Sequence, residues 1–183
     1  EVPVSVTGEV VHTENSHFGG KVRMETVQIS FTTDHKTMTF PMTLFIPRAV
    51  EKPPVFLHLA FRAYPDRYIP AEEITDAGYA LAVVVYKDLV NDNLRGDYSD
   101  GIAAHFGTTA ERTPTEWGKI GMWAYGASRI LDYLLTREDL DSAHTTVIGH
   151  SRLGKTALWA AAQDERFWAV ASNNSGYGGA ATS

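Results

Sequence analysis

Gly149-His150-Ser151-Arg152-Leu153-Gly154-Lys155-Thr156 is the stretch on which the reading of the fold turns. It follows the apolar, β-branched run Thr145-Thr146-Val147-Ile148 and leads into the alanine-rich run Thr156 to Gln163. Strand, tight turn and helix are the natural reading. Two chemistries fit such a turn. Ser151 can be a nucleophile held on a sharp strand-to-helix bend. Alternatively, Gly149-x-x-x-x-Gly154-Lys155-Thr156 matches the phosphate-cradling P-loop pattern.

Upstream of that turn the chain changes character near residue 50. Residues 1–50 read as antiparallel β: Val2 to Thr13, Val22 to Thr33 and Thr37 to Pro47 are rich in Val, Thr, Ile and Phe and often alternate apolar with polar. Turn segments at 15–20 and 33–36 separate them. In residues 51–183, Val55 to Phe61 is a nearly continuous apolar run, as a strand buried on both faces requires. Ala71 to Ala77 reads as a short helix stopped by Gly78, and Tyr79 to Tyr86 as a second buried strand. A polar loop from Lys87 to about Gly107 is longer than compact domains usually carry.

Thr113-Pro114-Thr115-Glu116 then supplies an N-cap, a proline for the first helical position and a capping-box glutamate. Ile120, Trp123, Ala127, Ile130, Leu131, Leu134 and Leu135 mark the apolar face of the helix that follows. Phe167 to Ser172 is the last strand. The order predicts one α/β domain over residues 1–183, with a mostly parallel sheet and an antiparallel amino-terminal portion.

A chain of 183 residues is long enough to bury a sizeable core. The net charge of −6, with no cluster of Lys and Arg, argues against nucleic acid as partner. No apolar run approaches the ~20 residues of a membrane helix, so no membrane partner is expected. Absence of cysteine removes disulfides, thiol catalysis and Cys-based metal sites together. The opening at Glu1, without Met or a signal-peptide pattern, suits a mature form after removal of a leader, and an expressed piece would look the same.

Context weighs on the two readings of the turn. A P-loop normally follows the first strand of its unit and needs an acidic residue at the end of a later strand to hold Mg²⁺. The following strand runs into Ala171-Ser172-Asn173-Asn174 with no carboxylate, and Asp88 lies upstream beside Lys87. The nucleophile reading is served by Gly149 at Ser−2, but the usual glycine at Ser+2 is Leu153. On residues alone, Ser151 serves equally as a plain helix N-cap.

Gly149-His-Ser-Arg-Leu-Gly-Lys155, continued by Ala157-Leu-Trp159, Asp164-Glu-Arg-Phe167 and Ser172-Asn-Asn-Ser-Gly-Tyr-Gly-Gly-Ala180, resembles the glucuronoyl esterase branch of the α/β-hydrolases. It resembles equally a related group of bacterial acetylxylan esterase-like proteins. Val55 to Phe61 and Glu116 to Ser128 share the likeness, which spans the chain from about Pro53 onward. In that family the glycine stands at Ser+3, as Gly154 does here. The resemblance implies an α/β-hydrolase-like sheet and a serine esterase of plant cell-wall carbohydrate. Its substrate would be a polysaccharide or oligosaccharide ester, either a glucuronoyl ester or acetylated xylan. It also implies no cofactor and no metal, and a secreted or periplasmic location.

By the same resemblance, Ser151 would attack the ester carbonyl and form an acyl-enzyme. The Arg152 N–H and side chain would face the oxyanion, and Lys155 would contact sugar hydroxyls or carboxylate. A weaker second oxyanion donor is the loop Arg62-Ala63-Tyr64, represented by Arg62. The plain alternative for Arg152 and Lys155 is a pair of solvated helix charges.

The triad is incomplete in the sequence. The fold's chain order is Ser, acid, His, yet His12, His17, His35, His58, His105, His144 and His150 all precede Ser151. His58 reads as a core histidine, and His150, adjacent to the nucleophile, should point away from it. His105 is the one retained as an outside candidate. Asn174 stands where glucuronoyl esterases often carry glutamate. The expectation is that acid and histidine lie in a carboxyl-terminal segment beyond residue 183, which would also cover the edge of the last strand. A non-catalytic fragment is the competing expectation. Trp117, Trp123 and Trp159 are expected to fill the core.

Overall fold

Alternation along the amino-terminal strands sets the first layer of the structure. The computed structural model describes residues 3, 5–33, 36–93, 96–177 and 179–180. Val2, the Asp34-His35 pair of the second predicted turn, Leu94 and Arg95 of the long loop, and Gly178 lie outside the described residues. Strands β1 (Ser5–His17), β2 (Val22–Thr33) and β3 (Lys36–Pro47) form an antiparallel meander. Val27, Ile29 and Phe31 of β2 lie opposite Met42, Phe40 and Met38 of β3, so the middle of one face of the pair is apolar, with Glu25 and Thr33 buried at its ends. β1 runs on through residues read as a turn, and the chain reverses at Phe18–Gly20 instead.

The remaining elements are β4 (Pro54–Ala60), α1 (Ala71–Asp76), β5 (Ala80–Val85), α2 (Tyr86–Leu89), α3 (Gly101–Phe106), α4 (Lys119–Leu134), β6 (Asp141–His150), α5 (Arg152–Gln163) and β7 (Ala169–Asn173). The strands make one sheet in the order β1-β2-β3-β5-β4-β6-β7. β3 joins β5 antiparallel, and β5, β4, β6 and β7 are parallel to one another. The antiparallel lead-in and the parallel α/β portion thus share a single mixed sheet.

Both sheet faces are covered at β5, which explains its unbroken apolar run, whereas β4, expected to be buried on both faces, alternates, with Phe56 and His58 only partly buried. Val55, Leu57, Leu59, Ala80, Ala82 and Val84 belong to the core shared with α4 and α5. Ala60, Leu81 and Val83 face the other way, into a smaller cluster with Phe45 and Ala71 of α1. Each buried Leu or Val of this kind contributes about 1.5–3 kcal/mol relative to exposure. β7 pairs only with β6 among the described residues, and Val170 is 38% exposed.

Three expectations need correction. The capping-box residues form a turn, with the Glu116 carboxylate accepting the Thr113 N–H, but α4 begins only at Lys119 with Gly118 as its N-cap. Trp117, between them, packs on Phe106 and Tyr125 and takes the chain out of helical register. The long polar loop holds two short helices, α2 and α3. Trp123 is buried as expected, but Trp117 and Trp159 are 39% and 50% exposed, flanking a groove between α4 and α5.

Candidate active site

Ser151 occupies the bend between β6 and α5 with φ 56° and ψ −127°. That conformation is one an L residue adopts only under constraint from its surroundings. The constraint is visible in the backbone. The Ser151 N–H donates to the Asn173 carbonyl at 2.9 Å, and its own carbonyl accepts the Lys155 N–H at 3.1 Å. One bond extends the ladder to β7; the other starts the helix. The turn between them has no spare residue.

Close backbone approach explains both glycines of the motif. A Cβ at Gly149 would lie 2.2 Å from the Leu153 carbonyl oxygen, and one at Gly154 would lie 2.9 Å from Ser172 Oγ and 3.2 Å from the Gly149 oxygen. Gly149 lets the strand end pass the first turn of α5. Gly154, at Ser+3, lets the helix lie against β6 and β7. The hydroxyl of Ser151 makes no capping hydrogen bond, so the N-cap role is not the one it plays.

The P-loop alternative fails on the same geometry. Helix α5 starts at Arg152, directly after Ser151, leaving no loop of amides to wrap a phosphate. The Thr156 hydroxyl is fully buried and donates to the Arg152 carbonyl at 3.0 Å, which removes it as a Mg²⁺ ligand.

Arg152 is the first residue of α5, so its N–H has no acceptor inside the helix and lies at the positive end of the dipole. Its guanidinium sits 5.3 Å from the Phe61 ring centre and 5.1 Å from that of Tyr86. Nη1 lies 3.0 Å from Asp92 Oδ2, and Nη2 donates to the Tyr86 hydroxyl at 3.3 Å. The residue next to Ser151 thus carries a cation that is paired and packed on rings, although its side chain is 42% exposed.

The other predicted residues fall less centrally. Lys155 Nζ donates to the Tyr177 carbonyl at 2.6 Å and so ties α5 to the segment after β7. Arg62 follows β4, 70% exposed, with Nη1 3.4 Å from Asp66 Oδ2. It borders a cavity of about 690 Å³ on the sheet face away from α4 and α5, lined also by Phe56, His58, Ile148, Gly149 and His150. That cavity reaches the elbow's glycine but neither Ser151 nor Arg152.

No hydrogen bond among the described residues joins a histidine or a carboxylate to the Ser151 hydroxyl. His105 Nε2 lies 2.6 Å from Thr33 Oγ1, and its ring packs on Phe31 and Phe106. Burial, with Lys36 adding repulsion, holds its pKa below the usual value. It belongs to the β2–α3 contact. His58 on β4 is held neutral by burial, and its Nδ1 is enclosed without a partner. His150 faces Phe61 edge-on at 6.5 Å. Asn174, in place of the family's glutamate, follows β7 at φ 48°, one residue beyond the carbonyl that holds Ser151.

Sequence reasoning missed Tyr86 and Asp92, which hold Arg152. Asp92 lies in the polar loop, and nothing in its spacing marks it.

Comparison with known proteins agrees with the geometry. A family model described as "Glucuronyl esterase, fungi" matches residues 29–183. A glucuronoyl esterase from Solibacter usitatus superposes with a TM-score of 0.87 at 36% identity, over 99% of this chain and 55% of that one. A glucuronoyl esterase of carbohydrate esterase family 15 from Teredinibacter turnerae gives 0.82 at 25% identity, over 98% and 48%. A curated carbohydrate esterase of an unknown prokaryotic organism is 43% identical over 115 residues, 61% of this chain and 26% of its own length. The chain spans about half the length of these solved relatives. An acetyl xylan esterase from Paenibacillus, at 19% identity and a TM-score of 0.60, shares the fold alone.

Proposed function

Because this chain belongs to the glucuronyl esterase family, we propose that it carries the nucleophile and oxyanion-binding part of a serine esterase of plant cell-wall carbohydrate. The bond cleaved is the ester between a glucuronoyl carboxyl and an alcohol. The observation that carries the reading is Ser151 itself, strained at φ 56° with its hydroxyl free of any capping bond. A residue held at that cost needs a task that repays it.

The Ser151 Oγ attacks the ester carbonyl and passes its proton to a base. The carbonyl oxygen, now negative, faces the Arg152 N–H and the Arg152 guanidinium. Collapse expels the alcohol and leaves a glucuronoyl-serine. Water then attacks that ester, the acid departs, and Ser151 regains its proton. A preorganised donor such as Arg152 supplies about 3 kcal/mol of barrier reduction. The base and its orienting acid come, on this reading, from sequence outside residues 1–183. The triad's chain order supports this, as does the absence of a histidine bonded to Ser151 among the described residues. Lys155 contributes to the sugar site through its link to the Tyr177 segment. An insoluble cell-wall substrate places the enzyme outside the cytoplasm.

Acetate removal from xylan is the second reading, and the fold likeness to an acetyl xylan esterase is its support. The relatives bearing the glucuronoyl esterase name are closer in sequence. The full-length protein should release alcohol from a benzyl glucuronate ester faster than acetate from acetylated xylan, and Ser151→Ala should abolish both. Acetate release alone would favour the second reading. Neither activity would leave a non-catalytic protein.

A further inference from the structure

We propose that Asp92 is the positioning residue for Arg152: it fixes the guanidinium at the oxyanion site while touching no substrate itself. The inference rests on the serine esterase reading above and adds a residue to it.

The guanidinium has five N–H groups. Nη1 lies 3.0 Å from Asp92 Oδ2 in an ion pair, and Nη2 donates one to the Tyr86 hydroxyl at 3.3 Å. Nε is enclosed. One N–H on each terminal nitrogen is left for a ligand. With the planar head lying against the touching Phe61 and Tyr86 rings on one side, the Asp92 ion pair restrains the remaining freedom, which is sliding of the head along those rings. A long side chain with a 42% exposed surface has many alternative rotamers, and ordering it in advance is what makes a cation useful to a transition state.

Asp92 is itself held by a rigid segment. Trp123 Nε1 donates to the Val90 carbonyl at 2.9 Å, Lys119 Nζ to the Asn91 carbonyl at 2.5 Å, and the Asn91 N–H to Asp100 Oδ1 at 3.1 Å. These three bonds pin the two residues that precede Asp92 to α4 and to the start of α3. Lys119 Nζ also lies 4.0 Å from Asp92 Oδ1, and the lysine is buried. Asp92 thus sits between two cations, one structural and one at the site. The Lys119 charge lies near one oxygen while the other faces Arg152. The ladder from buried α4 to Lys119, Asp92 and Arg152 carries the rigidity of the core to the first turn of α5.

The test is a double-mutant cycle in the full-length protein on a benzyl glucuronate ester, with Asp92→Ala, Asp92→Asn, Arg152→Ala and the pairs. Loss of an outer partner typically costs about 10–100-fold. Asp92→Ala is therefore expected to lower kcat about tenfold or more with KM changed less than about twofold. Asp92→Asn, whose amide oxygen still accepts from Nη1, should recover part of that loss. In the Arg152→Ala background, Asp92→Ala should cost nothing further. An unchanged or raised kcat in Asp92→Ala overturns the inference. So does an equal loss in the Arg152→Ala background, which would make Asp92 a structural residue only. Ser151→Ala separates the two layers: if it retains turnover, the esterase reading fails. If it is inactive while the Asp92 variants match the parent, only the positioning role fails.

Discussion

Replacing Ser151 with glycine should make the protein more stable and inactive. At φ 56° and ψ −127° a non-glycine residue carries about 1–3 kcal/mol of backbone strain. Glycine adopts that conformation freely, but it costs about 0.5–1 kcal/mol in unfolded-chain entropy. The balance favours Ser151→Gly over Ser151→Ala by up to about 2.5 kcal/mol. For a domain of this size each kcal/mol moves Tm by about 2–4 °C. Ser151→Ala keeps the strain and loses a hydroxyl that makes no capping bond, so it should stay within about 0.5 kcal/mol of the parent. Urea titration of the three proteins, read as midpoint at constant slope, measures the difference. Both variants should lose ester hydrolysis by a factor of roughly 10⁴ or more. If glycine proves no more stable than alanine, the bend stores no strain and the argument from Ser151 conformation is wrong.

Gly149→Ala should destabilise the protein by about 2–4 kcal/mol and abolish activity with Ser151 intact, because its Cβ would meet the Leu153 carbonyl carbon at 2.5 Å and oxygen at 2.2 Å; a melting curve matching the parent would show the turn has slack. His58, with its pKa depressed by burial, takes up its proton at lower pH when folded than when unfolded, where the usual value is about 6.5. Stability should therefore fall as pH drops below that value, and His58→Leu should flatten the slope; parallel slopes would place His58 in water. Asp139, paired with Arg137 and Arg23, has its pKa lowered to about 2. Its contribution is present above the unfolded value near 4 and is lost as pH falls through about 2, so Asp139→Asn should lower Tm at pH 7 much more than at pH 2. An equal Tm deficit at both pH values would refute the ion-pair account.

The strands were legible because their constraints are local. Val55 to Phe61 and Tyr79 to Tyr86 were read as strands from their apolar runs and form β4 and β5; β5 is buried on both faces, while Phe56 and His58 of β4 line a cavity. The elbow was legible as strand, turn and helix, and Gly154 at Ser+3 found its reason in the packing against β7. Helix α4 was misplaced at its start because Trp117 docks on Phe106 and Tyr125, a tertiary contact that outweighs a capping signature. α2 and α3, of four and six residues, were missed because α2 follows β5 without a break and α3 lies in a polar, Asp/Asn/Gly-rich stretch that reads as loop. Trp159 looked like core because α5 has an apolar face, but Leu153, Ala157 and Ala160 are the residues turned inward. Asp92 was invisible. It meets Arg152 across 60 residues of chain, by a fold that no local pattern announces.

Labelling with a serine-directed fluorophosphonate, mapped by peptide mass spectrometry on the full-length protein, tests the nucleophile most directly. A single phosphonyl adduct on Ser151 is predicted, absent in Ser151→Ala and slower to form in Arg152→Ala. An enzyme that hydrolyses the ester while Ser151 stays unmodified, or that is labelled and silenced at another serine, would contradict it.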